Sequence, residues 1–424
     1  LQLDEQFMRV AVVGAIKSGK STFVNALIGE DYLRRGAGVV TSMITRVRKS
    51  NRLEATLVFK GWDDVNEEIR QALILFPSHE GASDVASFDI RRETDRKDLE
   101  RALASLSSDQ IIGRETLDAK IAMLSAYVKG YDRLRNILAT DSPVHRLEGE
   151  NLFVRHRDFA GDDSMAIYLR DLLLGVPDSE FLSDTVEIGD CQGVDSINPR
   201  HMTMIQEYLL KTNLIIYVIS SRTGLRRADM GFLSLLQQMG FSDTIVFVLN
   251  VDMQEHEDLA DLATITDRVK DELAIIIDEP RVFSFSSLYW LFTGIEESLA
   301  AKDRSRFEQW NTDMELVGFC ETERQHFMSF LKRGIGRDRK ALLLRNHLDR
   351  LAAAMATLRE WAAFNEKILS GNVQEAHELI KSVGAMRLHL DEQKQTIRDS
   401  LDGRAVKVKR QLGEDVDRFL DGIY

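Results

Sequence analysis

Short apolar runs rich in β-branched residues punctuate the first 300 positions of the chain: Arg9–Val13, Thr185–Ile188, Leu214–Ile219, Thr244–Leu249 and Arg281–Phe285. Uninterrupted apolarity over so few residues predicts strands buried on both faces, as in parallel sheets. Between them, Ser21–Ile28, His201–Leu210, Ala228–Met239 and Leu259–Ile276 carry apolar positions at three- and four-residue spacing, which predicts helices. Alternation of the two predicts an α/β domain with a mostly parallel sheet over residues 1–295.

The stretch from Thr45 to Thr185 is less regular. It holds one strand pattern, Leu53–Phe59, and charged helical patterns at Asp63–Leu75, Thr94–Leu106 and Leu117–Leu138. A helical insertion over about 60–150 is expected there. From Glu296 onward strand patterns vanish. Leu344, Leu348, Leu351, Met355 and Leu358 step by four and three, as do Leu379, Val383, Met386 and Leu390, the spacing of a seam between long helices. An all-α bundle over 296–424 is therefore expected, either packed on the α/β domain or extended as a lever or assembly stalk.

Composition narrows the function classes. The 424 residues include 55 Lys+Arg and 68 Asp+Glu, a net charge of −13, which argues against a nucleic-acid partner held by bulk cationic charge. Cys191 and Cys320 are the only cysteines and lie outside any CxxC or His-rich spacing, so neither a disulfide framework nor a zinc site is expected. No apolar run approaches the roughly 18–20 residues that cross a bilayer, and the start lacks a signal-peptide pattern. A cytoplasmic protein fits. The chain begins at Leu1 rather than Met, so further segments at either end stay open.

One motif dominates the chemistry. Gly14-Ala15-Ile16-Lys17-Ser18-Gly19-Lys20-Ser21-Thr22 follows a strand pattern and opens a helical one, a full GxxxxGK[ST] match. Its glycines let backbone N–H groups wrap phosphates, the helix N-terminus adds positive potential, Lys20 neutralises β and γ phosphates, and Ser21 offers a hydroxyl to Mg²⁺. Downstream lie Leu33-Arg34-Arg35-Gly36-Ala37-Gly38-Val39-Val40-Thr41, then Asp190-Cys191-Gln192-Gly193 at the end of a strand pattern, then Leu249-Asn250-Val251-Asp252 after another, then Phe283-Ser284-Phe285-Ser286-Ser287. Cys191 is expected to be a small filler beside the site. His156, His201 and His256 stand apart without ligand partners at helical spacing, so neither Ser/His/Asp catalysis nor metal catalysis beyond Mg²⁺ is expected.

In order and relative position these segments resemble the GTPase domain of bacterial dynamin-like proteins, over about 1–295, with the later helices similar to the start of a dynamin-type trunk. The resemblance implies that Thr41 is the switch I threonine, which reaches Mg²⁺ and orients the attacking water. It makes 190–193 the DxxG of switch II, with Asp190 holding Mg²⁺ through water and the Gly193 amide sensing the γ-phosphate. Asn250 and Asp252 fall at the guanine-reading motif. Asp252 would accept the guanine N1–H and N2–H, although the family lysine is missing and the spacing from Asn250 is one residue short. Ser286 lies at the SA-like loop over the base.

Dynamins carry Gln-Ser where this chain has Ile16 and Lys17. That serine helps hold a monovalent cation, and in guanylate-binding and atlastin GTPases an arginine at the position of Lys17 acts as an internal cationic finger. Lys17 is accordingly expected to supply the cation's charge itself. The family further implies GTP and GDP as ligands with Mg²⁺, dimerisation through the nucleotide domain, helical-bundle movement and peripheral membrane contact. The loop with Arg226 and Arg227 falls near the dimer face in dynamins, while the basic run Lys407–Arg410 is expected to be a solvated helix face. Two other readings stay open: a nucleotide-gated scaffold with little turnover, which the incomplete base motif favours, and a P-loop ATPase.

Overall fold

The computed structural model describes residues 7–35, 43–73, 85–108, 115–138, 144–177, 181–191, 199–256 and 258–336, together with positions 355, 358, 359, 362 and 363. The chain divides into two compact units, Leu1–Arg350 and Leu351–Tyr424. Of the seam positions, Met355 and Leu358 are helical and exposed. The rest of the seam and Lys407–Arg410 lie outside the described residues.

In chain order the first unit contains β1 (Met8–Val13), α1 (Lys20–Ile28), β2 (Ile44–Lys49), β3 (Glu54–Phe59), α2 (Trp62–Leu73), α3 (Glu93–Ser108), α4 (Glu115–Leu138) and β4 (Val144–Glu148). Three short helices follow, α5 (Glu150–Phe153), α6 (His156–Gly161) and α7 (Asp163–Ala166), and then β5 (Leu169–Val176) and β6 (Val186–Cys191). Next come α8 (Pro199–Leu209), β7 (Leu214–Ser220), α9 (Arg227–Gln238), β8 (Ile245–Asn250), α10 (Leu259–Ala274), β9 (Val282–Phe285), α11 (Ser287–Gly294), α12 (Ala301–Trp310) and α13 (Met314–Gly336).

Among the described residues nine strands form one sheet in the order β4-β3-β5-β2-β6-β1-β7-β8-β9. β1 pairs in parallel with β6 and β7, and β7–β8 and β8–β9 are also parallel, whereas β2 runs antiparallel to β6. The parallel half matches the apolar runs of the sequence, and Val10–Val13 and Ile215–Val218 are fully buried.

The other half differs from expectation. Four strands, β2 to β5, occupy the stretch in which the sequence pattern shows only one, β3. β5 is leucine-rich and carries Arg170 and Asp171, a composition suited to a helix as much as a strand. β2 reads Ile-Thr-Arg-Val-Arg-Lys, and its cations are matched within the sheet. Glu187, with a fully buried side chain on β6, accepts from Arg9 (3.1 Å), Arg46 (3.4 Å) and Arg48, while Arg46 also pairs with Asp171. A buried carboxylate is tolerable only with such partners.

Residues 301–336 form α12 and α13, joined by a short turn at 311–313. α13 lies against β9, and its fully buried Phe327 meets Phe23 of α1 (5.7 Å between ring centroids), Phe283 (5.4 Å) and Phe285 (5.3 Å). This aromatic cluster joins the helix that follows the phosphate-binding motif to α13.

Candidate functional site

Parallel strands deliver their C-terminal ends to one edge of the sheet, where open α/β folds bind ligands. Here β1, β6, β7, β8 and β9 bring to that edge Gly14–Ser21, Asp190, Ser220–Arg226, Asn250–Asp252 and Ser286–Ser287. Antiparallel β2 starts at the same edge, with Ile44 opposite Cys191. Thr41, which precedes β2, lies outside the described residues, as does Gly193.

The loop after β1 folds on its glycines. Gly14 has φ 147° and a Cβ there would stand 2.2 Å from the Val218 carbonyl oxygen of β7; Gly19 has φ 94° and a Cβ there would stand 2.2 Å from Asn250 Nδ2. Only glycine fits both positions. Between them Lys17 adopts φ 65° and is exposed. The Lys20 ammonium is drawn inside the loop and donates to the carbonyls of Gly14 (3.0 Å) and Ala15 (2.7 Å). A cation in a ring of backbone groups at a helix N-terminus is the arrangement that takes a phosphate chain. Ser18 Oγ is buried with no hydrogen-bond partner among the described residues, and Thr22 follows on the first turn of α1.

Ser21 and Asp190 meet although 169 positions apart: Ser21 Oγ donates to Asp190 Oδ2 at 2.6 Å. Asp190 Oδ1 is buried with no hydrogen-bond partner among the described residues. Burial raises the Asp190 pKa, against the lowering pull of the Ser21 hydroxyl and Lys20. A hydroxyl beside a carboxylate with a spare, desolvated oxygen fits Mg²⁺, a hard cation that takes few protein oxygens and completes its shell with phosphate and water. Among the described residues no cluster of three or more His, Cys, Asp or Glu is placed to hold a metal, as that preference allows.

An acid whose pKa is raised on folding holds its proton more tightly folded than unfolded, so stability falls as pH rises above its ordinary 3.8. Asp190→Asn removes that penalty and is expected to raise the melting temperature of the nucleotide-free protein at neutral pH, with the difference shrinking in acid. Thermal melts at both pH values check this. A variant that melts lower at neutral pH would show that the carboxylate is stabilising. Burial also pushes the Cys191 thiol up, in keeping with a filler role.

Asn250 links two loops at this edge. Its Nδ2 donates to the Ser18 carbonyl (2.9 Å) and its Oδ1 accepts from Ser287 N–H (3.0 Å), so one side chain ties the phosphate loop to the start of α11. Ser286 caps α11, its hydroxyl accepting from Tyr289 N–H. The Asp252 carboxylate accepts from Gln254 N–H (3.1 Å) and lies 3.7 Å from Arg222, which also pairs with Glu255 at 2.7 Å. A pocket of about 440 Å³ opens beside the loop, lined by Ile16, Lys17, Ser18, Ser220, Arg222, Arg226 and Glu255 among others. Arg226 precedes α9, where Asp229 accepts from its backbone N–H and from the Tyr217 hydroxyl.

The sequence pattern does not reveal the network around His256. The imidazole is buried, with Nδ1 2.8 Å from Asp261 Oδ2 and Nε2 2.8 Å from Ser221 Oγ. Local spacing signals only the five-residue step to Asp261; Ser221 arrives from another strand. The constellation has the residue types of a hydrolytic triad, but Ser221 is buried and its oxygen accepts from Asp252 N–H (3.0 Å), so it is not a free nucleophile. His156 is also buried, between the carbonyls of Phe153 and Tyr32, and its pKa is lowered by burial. It anchors the segment entering Arg34–Thr41.

A sequence model of the dynamin family matches residues 10–252. Dynamin-like protein A of Bacillus subtilis (strain 168) is 24% identical over 319 residues, which cover 73% of this chain and 24% of that protein. Dynamin-like protein 1 of Campylobacter jejuni subsp. jejuni serotype O:23/36 (strain 81-176) is 21% identical over 274 residues, 64% of this chain and 31% of that protein. The chain thus spans a quarter to a third of the length of these curated relatives. A solved structure described as an oligomerised bacterial dynamin pair for the long-range sensing and tethering of membranes overlays with a TM-score of 0.49 at 15% identity, covering 94% of this chain and 47% of that one.

Proposed function

Since the chain belongs to the dynamin family, we propose that it is a GTPase that hydrolyses GTP to GDP and phosphate with Mg²⁺. The observation that carries this reading is the hydrogen bond between Ser21 and Asp190, because it joins the phosphate loop to the DxxG segment and leaves a desolvated carboxylate oxygen beside them. Gly14, Gly19 and the loop amides would cradle the phosphates while Lys20 carries their charge. Ser21 and Asp190, with Thr41, would hold Mg²⁺, which when bound supplies charge neutralisation at the phosphates. Thr41 would orient the attacking water and Gly193 would sense the γ-phosphate. Asn250, Asp252 and Ser286 would frame the base.

Lys17 is proposed to replace a monovalent cation, since it is exposed on the loop and lines the same pocket as Arg222 and Arg226. Family membership supports pairing of nucleotide domains across the ligand and peripheral membrane contact as the output. No helix among the described residues is long and apolar enough to cross a membrane. The helical bundle expected over 296–424 would respond to turnover through α13, which shares the aromatic cluster with α1.

Phosphate release from GTP, measured against protein concentration with ATP as control, tests the reading. A specific rate that rises with concentration and requires GTP is expected. Turnover should be independent of K⁺ and fall roughly tenfold or more in Lys17→Ala. Binding without turnover at any concentration would favour a nucleotide-gated scaffold, the reading to which the paired state of Asp252 lends support.

A further inference from the structure

We infer that Asp261, His256 and Ser221 form a positioning relay that fixes the backbone of Asp252 and so sets how the base is read, an inference that rests on assigning Asp252 to guanine.

Ser221 grips the exit of β8 at two points. Its backbone N–H donates to the Asn250 carbonyl (3.1 Å) and its hydroxyl oxygen accepts from Asp252 N–H (3.0 Å). From the other side the Phe285 carbonyl of β9 accepts from Val251 N–H (3.0 Å). The turn after β8 is thereby held on both flanks, with Val251 and Met253 buried and the Asp252 side chain half-exposed between them.

Hydrogen-bond direction then runs one way through the relay. The Asp261 carboxylate can only accept, which places a proton on His256 Nδ1; Nε2, in the tautomer where it carries none, accepts from the Ser221 hydroxyl, whose oxygen in turn accepts from Asp252 N–H. Each polar atom of the buried imidazole has its partner. Asp261 is itself set by the helix it starts, its N–H donating to the Asp258 N-cap carboxylate (2.8 Å). The rigid start of α10 therefore reaches back across the sheet edge to the loop after β7 and the turn after β8. A guanine-reading carboxylate gains affinity chiefly by being held ready before the ligand arrives. In this chain, where Val251 stands after Asn250 in place of the family lysine, that holding falls to Ser221 and His256.

The test is calorimetric binding of GTP, XTP and inorganic tripolyphosphate, each with Mg²⁺, to the full chain and to the variants D252N, H256A, H256Q and S221A. H256A and S221A are expected to weaken GTP roughly tenfold while tripolyphosphate binds as in the parent, because only the base side is disturbed. H256Q, whose amide reaches the position of Nε2, is expected to stay within about threefold of the parent. D252N is expected to lower the preference for GTP over XTP more than about tenfold, since an amide cannot accept both guanine donors. If D252N shifts that preference but H256A and S221A bind GTP as the parent does, base reading stands and the relay is overturned. An unchanged preference in D252N shows that Asp252 does not read the base, and the relay's role falls with it. Equal loss of GTP and tripolyphosphate in H256A and S221A makes the network general scaffolding and also overturns the inference.

Discussion

Lys20→Ala is expected to reduce phosphate release from GTP at least about a hundredfold, the scale at which loss of one preorganised charged donor is felt in a water-poor site. The side chain is buried within its own loop, with Nζ 2.7 Å from the Ala15 carbonyl and 3.0 Å from that of Gly14. Its charge therefore sits in the ring that would receive the phosphates, with no long side-chain reorganisation needed to meet them. Alanine removes the charge and leaves a cavity at the start of α1 that water can enter, so affinity for Mg²⁺-bound nucleotide should fall together with turnover. Steady-state phosphate release and nucleotide titration on the same preparation decide the matter, with circular dichroism to verify the fold. Turnover within tenfold of the parent would remove Lys20 from the phosphate site.

The largest effect on stability is expected at Phe327. Truncation to alanine should cost about 3–5 kcal/mol of unfolding free energy, the usual range for a buried aromatic, because Phe327 is fully buried and contacts rings from α1 and β9. Little can collapse into the space. Phe23 and Phe285 are themselves fully buried, and Phe285 packs at 5.8 Å against Trp290. Denaturant unfolding, followed by tryptophan fluorescence, should show the loss, because Trp290 borders the cluster. A cost below about 1 kcal/mol would mean that α13 is only loosely attached, contrary to its burial.

The parallel half of the sheet was legible because its strands are buried on both faces and therefore apolar at every position, as in Val10–Val13 and Ile215–Val218. The phosphate loop was legible because its glycines answer to steric demands that no other residue meets. β2 and β5 were hidden for the opposite reason. Arg46, Arg48 and Asp171 look like surface charges until Glu187, far away in sequence, is seen to match the arginines. The Ser21–Asp190 contact could be expected from motif order, but the Ser221–His256–Asp261 network could not, since its members share no helical or strand period and meet only through the β7–β8 register. The departure at Asp252 was visible as a missing lysine and a short spacing; its partners Arg222 and Gln254 were not.

The position of β1 between β6 and β7 has a consequence for how the molecule is made. Arg9 bonds to Glu187, 178 positions later, and Asn213 accepts from the Arg9 backbone beyond that. β1 thus has no neighbour to pair with until β6 and β7 have been synthesised, and closing so long a loop is slow. In the interval β2, β3, β4 and β5 can pair among themselves over shorter separations, while an apolar β1 and the unformed phosphate loop wait in solution as the segment most exposed to misassociation. The loop after β1 is therefore set in place only once β6 and β7 have joined the sheet. Nucleotide binding, as proposed, would report that the sheet is complete.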